Sequence, residues 1–157
     1  MTIEYDFEEQ LKKGKEKELF LDNYFSQWYS ISGVSRLHEK AGIDRIFHDN
    51  GGRVFTVEYK SDNITHKTGN FFVETLSVKE ENKLGWAYTS QSQLILYFVP
   101  EWKTVYVIDT VRLKKLLLSW IKIYPEKNVS NKGYTTVGIP VPKSEFKKCV
   151  NEIVRII

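Results

Sequence analysis

Residues 43–60 constrain this chain more than any other stretch. Two runs rich in β-branched and aromatic residues, Ile43 to His48 and Val54 to Lys60, flank Asn50-Gly51-Gly52. The pattern reads as a β-hairpin. With Asn50-Gly51-Gly52 as a three-residue loop, Gly52 takes the left-handed position of a bulge. Pairing then obeys i + j = 102, so Asp44 lies opposite Glu58 (44 + 58 = 102). Directly opposed residues of an antiparallel pair project from one face. The side-chain period of two brings Lys60 to that face as well. A two-residue Gly51-Gly52 turn shifts the sum to 103 and sets Asp44 against Tyr59. That one-residue slip exchanges the faces.

Two opposed carboxylates repel. A divalent cation removes the repulsion, and Mg²⁺ takes one or two carboxylates together with substrate phosphate. Such an ion polarises a phosphoryl oxygen and lowers the pKa of bound water. Asp44 and Glu58 are therefore the expected metal ligands. Glu58-Tyr59-Lys60 sets acid and ammonium side by side, with Lys60 placed to stabilise charge developing on a phosphate.

Asp44-x13-Glu58-x-Lys60 across a hairpin resembles the PD-(D/E)-x-K nucleases, the superfamily of restriction-endonuclease-like enzymes and archaeal-type junction resolvases. Ile43 stands where the superfamily name has proline. Upstream, Gly14 followed four residues later by Glu18 looks like the family's first-helix pattern, which implies that Glu18 helps to hold metal; Glu16 is the rival acid. Downstream, Thr68-Gly69-Asn70-Phe71-Phe72-Val73-Glu74 is similar to a Thr-Gly-Asn-x-x-x-Glu element of phage-type members. Thr68, Asn70 and Glu74 are thus secondary candidates, with Glu74 placed to orient Lys60 or a metal-bound water. Gly85-Trp86 and Leu94 to Val99 fit the same subgroup, so the resemblance covers most of residues 8 to 122.

The resemblance implies an α/β restriction-endonuclease-like core, a mixed β-sheet flanked by helices. It implies a metal-dependent DNA endonuclease that hydrolyses phosphodiester bonds, with branched or structured DNA as one candidate substrate, and it does not choose between restriction, repair and junction-cleaving roles. The cofactor is Mg²⁺, with Mn²⁺ as a substitute. A homodimer is expected, because cutting both strands of a duplex calls for two sites. The alternative is a nuclease-fold module that binds nucleic acid or protein without cleaving.

The 157 residues suit one domain, 1–157, burying roughly 70% of its unfolded surface. No apolar run of about 18 residues offers a membrane helix. Met1-Thr2-Ile3-Glu4-Tyr5-Asp6 has neither a basic region nor an apolar stretch, so a signal peptide is not expected. The lone Cys149 excludes an intramolecular disulfide and fits a reducing, cytoplasmic setting. A net charge of +3, from 23 basic and 20 acidic residues, falls short of a chain dominated by nucleic-acid charge. Cations for DNA must then be local, and Arg36, Lys40, Arg45, Lys67, Lys79 and Lys83 lie in or beside loops flanking the hairpin.

Along the rest of the chain, Phe7, Leu11, Glu18, Leu21, Phe25 and Trp28 share a stripe that predicts a helix over 7–29. Residues 30–42 read as a loop and 61–70 as turn-like. Strands are expected over 71–78, 94–99 and 104–108. Asp109 or Thr110 caps a helix carrying Leu113, Leu117 and Trp120, which Pro125 ends. Residues 126–133 read as a loop and 134–141 as a strand. After Pro142 comes a final helix with Phe146, Val150, Ile153, Val154 and Ile157 as its apolar face.

Overall fold

Asp49 organises the hairpin loop. Its amide donates to the Arg53 carbonyl at 3.0 Å, and its Oδ1 accepts from the Gly51 and Arg53 amides at 2.9 and 2.8 Å. Gly52 sits at φ +83°, the left-handed region. The computed structural model describes residues 7–156. In it β2 (Arg45–His48) and β3 (Val54–Ser61) pair as Arg45–Val57, Ile46–Thr56, Phe47–Phe55 and His48–Val54. Each pair sums to 102, the register that sets position 44 against position 58.

Around this hairpin a six-stranded sheet forms. It adds β1 (Ser30–Gly33), β6 (Leu94–Val99), β7 (Thr104–Asp109) and β10 (Val150–Arg155), in the order β1-β2-β3-β6-β7-β10. The β3–β6 pair is parallel and its neighbours are antiparallel. A second sheet of β4 (Asn70–Val78), β5 (Lys83–Leu84), β8 (Lys127–Asn131) and β9 (Tyr134–Pro142) runs β5-β4-β9-β8. The chain is thus α/β, with a mixed sheet flanked by helices.

β6 explains the layering. Its Leu-Ile-Leu-Tyr-Phe-Val run is apolar at every position, as expected for a strand covered on both faces. Ile95, Tyr97 and Val99 pack with Phe71 and Val73 of β4, Ile139 and Val141 of β9, and Leu113, Leu117 and Trp120 of α5 (Thr110–Ile123). Leu96 and Phe98 turn the other way, onto Leu21 and Phe25 of α1 (Phe7–Phe25). Asp109 caps α5 by accepting from the Arg112 amide at 3.0 Å. Among the described residues no helix is long and apolar enough to cross a membrane.

Several sequence expectations are corrected. The first helix stops at Phe25, and of its stripe only Leu21 and Phe25 bury fully; Phe7, Leu11 and Trp28 remain about half exposed. Residues 30–42 are not a loop but β1 and a short α2 (Arg36–Lys40), and 61–70 include α3 (Thr65–Thr68). Residues 126–133 contain β8, whose polar side chains hide an edge strand from hydrophobic periodicity. After Pro142 there is no long helix. A single turn, α6 (Lys143–Phe146), and a 3₁₀ turn lead into β10. Val150, Ile153 and Val154 have helical spacing, but the open edge of β7 claims the segment. Ile157 of the expected helix face lies outside the described residues, as do the six residues on which the signal-peptide expectation rests.

The two glycines of the hairpin are not equivalent, since Gly52 alone of the pair has a positive φ. Gly52→Ala should destabilise the protein by about 1 kcal/mol or more. Gly51→Ala should cost clearly less. Urea denaturation of both variants measures the difference, and equal effects would contradict the left-handed assignment at position 52.

Candidate active site

β3 carries Glu58 and Lys60 on the face that Ile95 and Tyr97 occupy in β6, through the pairs Glu58–Ile95 and Lys60–Tyr97. Glu58 is buried, at 5% exposure for the whole residue. Its Oε1 lies 3.2 Å from Lys60 Nζ, while its Oε2 has no hydrogen-bond partner. Gly42 closes over that oxygen at φ +73°. A Cβ there would stand 2.8 Å from Ser90 Cα and 3.1 Å from Glu58 Oε2, so glycine is required on both counts.

Asp44 immediately precedes β2. Its amide donates to the Val57 carbonyl at 2.8 Å, and its Oδ2 accepts from the Tyr59 amide at 2.7 Å. The carboxylate is therefore fixed by main chain.

Glu18 arrives from α1, half-buried, 4.0 Å from the Arg45 guanidinium. Glu16 is exposed and lies outside the groove that Glu18 lines, so the helix-borne acid at the site is Glu18. Asp22, one turn further along the same helix face, fixes the Arg45 guanidinium that Glu18 approaches. It accepts from Arg45 Nε at 3.1 Å through both oxygens and from the Tyr59 hydroxyl at 2.7 Å. Arg45 also stacks over the Tyr59 ring, 5.6 Å from its centroid. Asp22 is an anchor that sequence reasoning missed, although its spacing of four from Glu18 was a readable signal.

Glu18, Asp44, Lys60, Thr68, Asn70 and Glu74 line one groove of about 720 Å³ between α1, the end of β3 and the second sheet, whereas Glu58 is not among its lining residues. Glu74 Oε2 accepts from the Trp86 amide at 3.2 Å, at the start of α4 (Trp86–Thr89), and the Glu74 charge acts on Lys60. Thr68 and Asn70 serve the turn before β4, where Thr68 Oγ1 accepts from the Asn70 amide at 3.1 Å.

The expected DNA cations fare differently. Arg45 lines the groove but is committed to Asp22 and Glu18. Arg36, Lys40, Lys67, Lys79 and Lys83 are exposed and lie outside the lining. The groove draws its cations instead from Lys13, Lys15 and Lys17 of α1 and from Lys127 of β8. The run Lys12-Lys13-Gly14-Lys15-Glu16-Lys17 carried that signal.

Burial sets the electrostatics. It raises the Glu58 carboxyl above the ordinary range, with Lys60 opposing. It raises Asp44 too, against the Tyr59 amide bond, and it raises Glu18, with Asp44 adding repulsion. For Lys60 burial works downward, yet Glu58, Glu74 and Asp44 outweigh it and the ammonium is held above its usual value. The asymmetry follows the charges around each group: three carboxylates act on Lys60, whereas Glu58 has the one ammonium and is opposed by Asp44. Lys60 is thus a fixed cation and donor near neutral pH rather than a base. Among the described residues no three His, Cys, Asp or Glu side chains are grouped closely enough to enclose a metal ion.

No family model matches the chain, and no curated protein or solved structure matches it either.

A carboxyl whose pKa is raised on folding contributes no penalty at low pH, where both folded and unfolded states are protonated. Stability is lost as pH rises through the folded pKa. In metal-free buffer Glu58→Gln should therefore melt above the unsubstituted protein at pH 8, and the gap should close towards about pH 4. Thermal melts across that range test this; a variant that melts lower at every pH would mean that the Lys60 pair outweighs burial.

Proposed function

We propose that the chain is a Mg²⁺-dependent DNA endonuclease on a restriction-endonuclease-like core. The observation that carries this reading is the Glu58 carboxylate, buried on the sheet with Oε1 3.2 Å from Lys60 Nζ and Oε2 without a well-formed hydrogen bond. An orphaned buried oxygen needs an explanation, and a cation supplies one. Glu58 and Asp44 would hold the ion, with Glu18 reaching it through water. That donor set suits Mg²⁺, which keeps several waters and needs only one or two carboxylates. It does not require three side chains in mutual contact. When bound, the ion would polarise a phosphoryl oxygen and acidify a water.

The chain's own residues supply the rest. Lys60 donates to a non-bridging oxygen of the scissile phosphate and meets the negative charge that develops there as water adds and the leaving oxygen departs. Asp44 is held by the Tyr59 amide, so it is oriented before substrate arrives. Lys13, Lys15, Lys17 and Lys127 meet flanking phosphates along the groove. The raised carboxyls must ionise to hold a cation, so activity should rise with pH through their range. A non-cleaving nucleic-acid-binding module is the second reading. Its support is the spread of the acids, which are not gathered into a closed cage.

Asp44→Asn should abolish Mg²⁺-dependent nicking of supercoiled DNA while the fold persists; full activity in this variant removes Asp44 from the site, and binding without any Mg²⁺-dependent nicking by the unsubstituted protein favours the binding module. Lys60→Ala should lower the single-turnover rate at saturating DNA far more than it lowers affinity. Lys13→Gln with Lys15→Gln should do the reverse, reducing the slope of log affinity against log salt by about 2. Affinity across a salt series and single-turnover rates for both sets separate the roles.

A further inference from the structure

Phe72 and Glu74 share the outer face of β4, opposite Pro140 and Gly138 of β9. The Phe72 ring does not stand away from the sheet. A Cβ at Gly138 would lie 2.4, 2.6 and 2.7 Å from Phe72 Cζ, Cε1 and Cε2, so the ring is folded down over the glycine backbone. Gly138 has no positive φ to justify it, and the ring supplies the reason for glycine. Phe72 is half-buried and lines the same groove as Lys60. By contrast its neighbour Phe71 is buried in the core, stacked on Phe146 at 4.2 Å.

The platform is tied to the acid–lysine cluster. The Phe72 amide donates to the Tyr97 hydroxyl at 3.3 Å, and Tyr97 is the β6 partner of Lys60. Glu74, two residues on, acts on Lys60 directly. On the far side of β9, Lys127 is opposite Gly138 and Asn131 is opposite Tyr134, both lining the groove. An aromatic face thus lies between the cluster and the Lys127 cation.

We infer that the Phe72 ring, laid over Gly138, is a stacking platform for an unpaired nucleobase next to the scissile phosphate. This rests on the endonuclease reading and gives it a substrate class: DNA with an unpaired nucleotide at the cut, as in a flap, gap or branch. A base inside an intact duplex is already stacked on both sides, and it must leave the helix before a protein ring can take its face. Unpaired DNA avoids that step. Lys127 contacts the neighbouring phosphate, and the Asn70 side chain meets the base edge.

The test uses the full chain and two DNAs of one sequence, an intact duplex and the same duplex with a short single-stranded gap. A 2-aminopurine occupies the unpaired position. In EDTA, binding of the gapped DNA should quench the 2-aminopurine, and Phe72→Leu should lose the quench while Phe72→Tyr retains it. In Mg²⁺, the gapped substrate should be cut about tenfold or more faster than the duplex. That ratio should fall towards unity in Phe72→Leu and be restored in Phe72→Tyr. Equal cutting of both DNAs, or a preference and quench that survive Phe72→Leu, overturns the platform and leaves the nuclease intact. Absence of Mg²⁺-dependent cutting on either DNA overturns the nuclease reading instead, and the quench in EDTA still reports on stacking by itself.

Discussion

The hydrogen bond from the Tyr59 amide to Asp44 Oδ2 joins the last residue before one strand to the middle of the next. Strand β2 is too short to pair with all of β3, and the Asp44 carboxylate takes over where the ladder stops. Tyr59 then acts twice. Its amide fixes Asp44 on the hairpin, and its hydroxyl reaches Asp22 on α1. Arg45, beside Asp44, closes the loop by binding Asp22 through both carboxylate oxygens. Three segments far apart in sequence are thereby locked around one ring. Glu18 inherits its place from this lock, being one helical turn from Asp22. A network of this kind loses more than one bond when a single member is removed, because the remaining groups are left half-satisfied.

Glu58 shows the opposite economy. Lys60 and the Ser90 side chain favour its charge, yet burial outweighs both and its Oε2 makes no well-formed hydrogen bond. A protein under selection for stability alone would place an apolar residue at this strand position. The neighbouring strand does so, with Ile95 paired to Glu58. Local destabilisation that the surrounding fold tolerates is characteristic of sites kept for chemistry. The rest of the sheet supplies the tolerance, with β6 covered on both faces by apolar side chains.

The hairpin register was legible because Asn50-Gly51-Gly52 and two strongly β-forming runs leave few ways to pair. The acid and lysine positions followed from it. The helix cap at Asp109 was legible for a similar local reason. Two kinds of feature were not. Edge strands such as β8 bury little, so Lys127 to Asn131 carry no hydrophobic period to read. And Val150 to Val154 have apolar spacing that suits a helix, yet their conformation is decided by the distant edge of β7. The cations were misplaced for a related reason. Proximity to the hairpin in sequence favoured Lys67 and Lys79, whereas the groove is walled by α1 and β8, which approach only once both sheets have formed.

That β10 completes the edge of the large sheet has a consequence for how the chain is made. β7 pairs with β6 on one side and with β10 on the other, and about forty residues separate β7 from that second partner. During synthesis the outer edge of β7 remains an open row of amides and carbonyls until residues 150–155 leave the ribosome. α5 forms in that interval and covers one face of the sheet, but a helix on a face does not blunt an edge. A nascent chain halted between α5 and β10 would hold most of the large sheet with one adhesive strand. Ribosome pausing in this short window would therefore favour aggregation of the nascent chain over its degradation as an unfolded polypeptide.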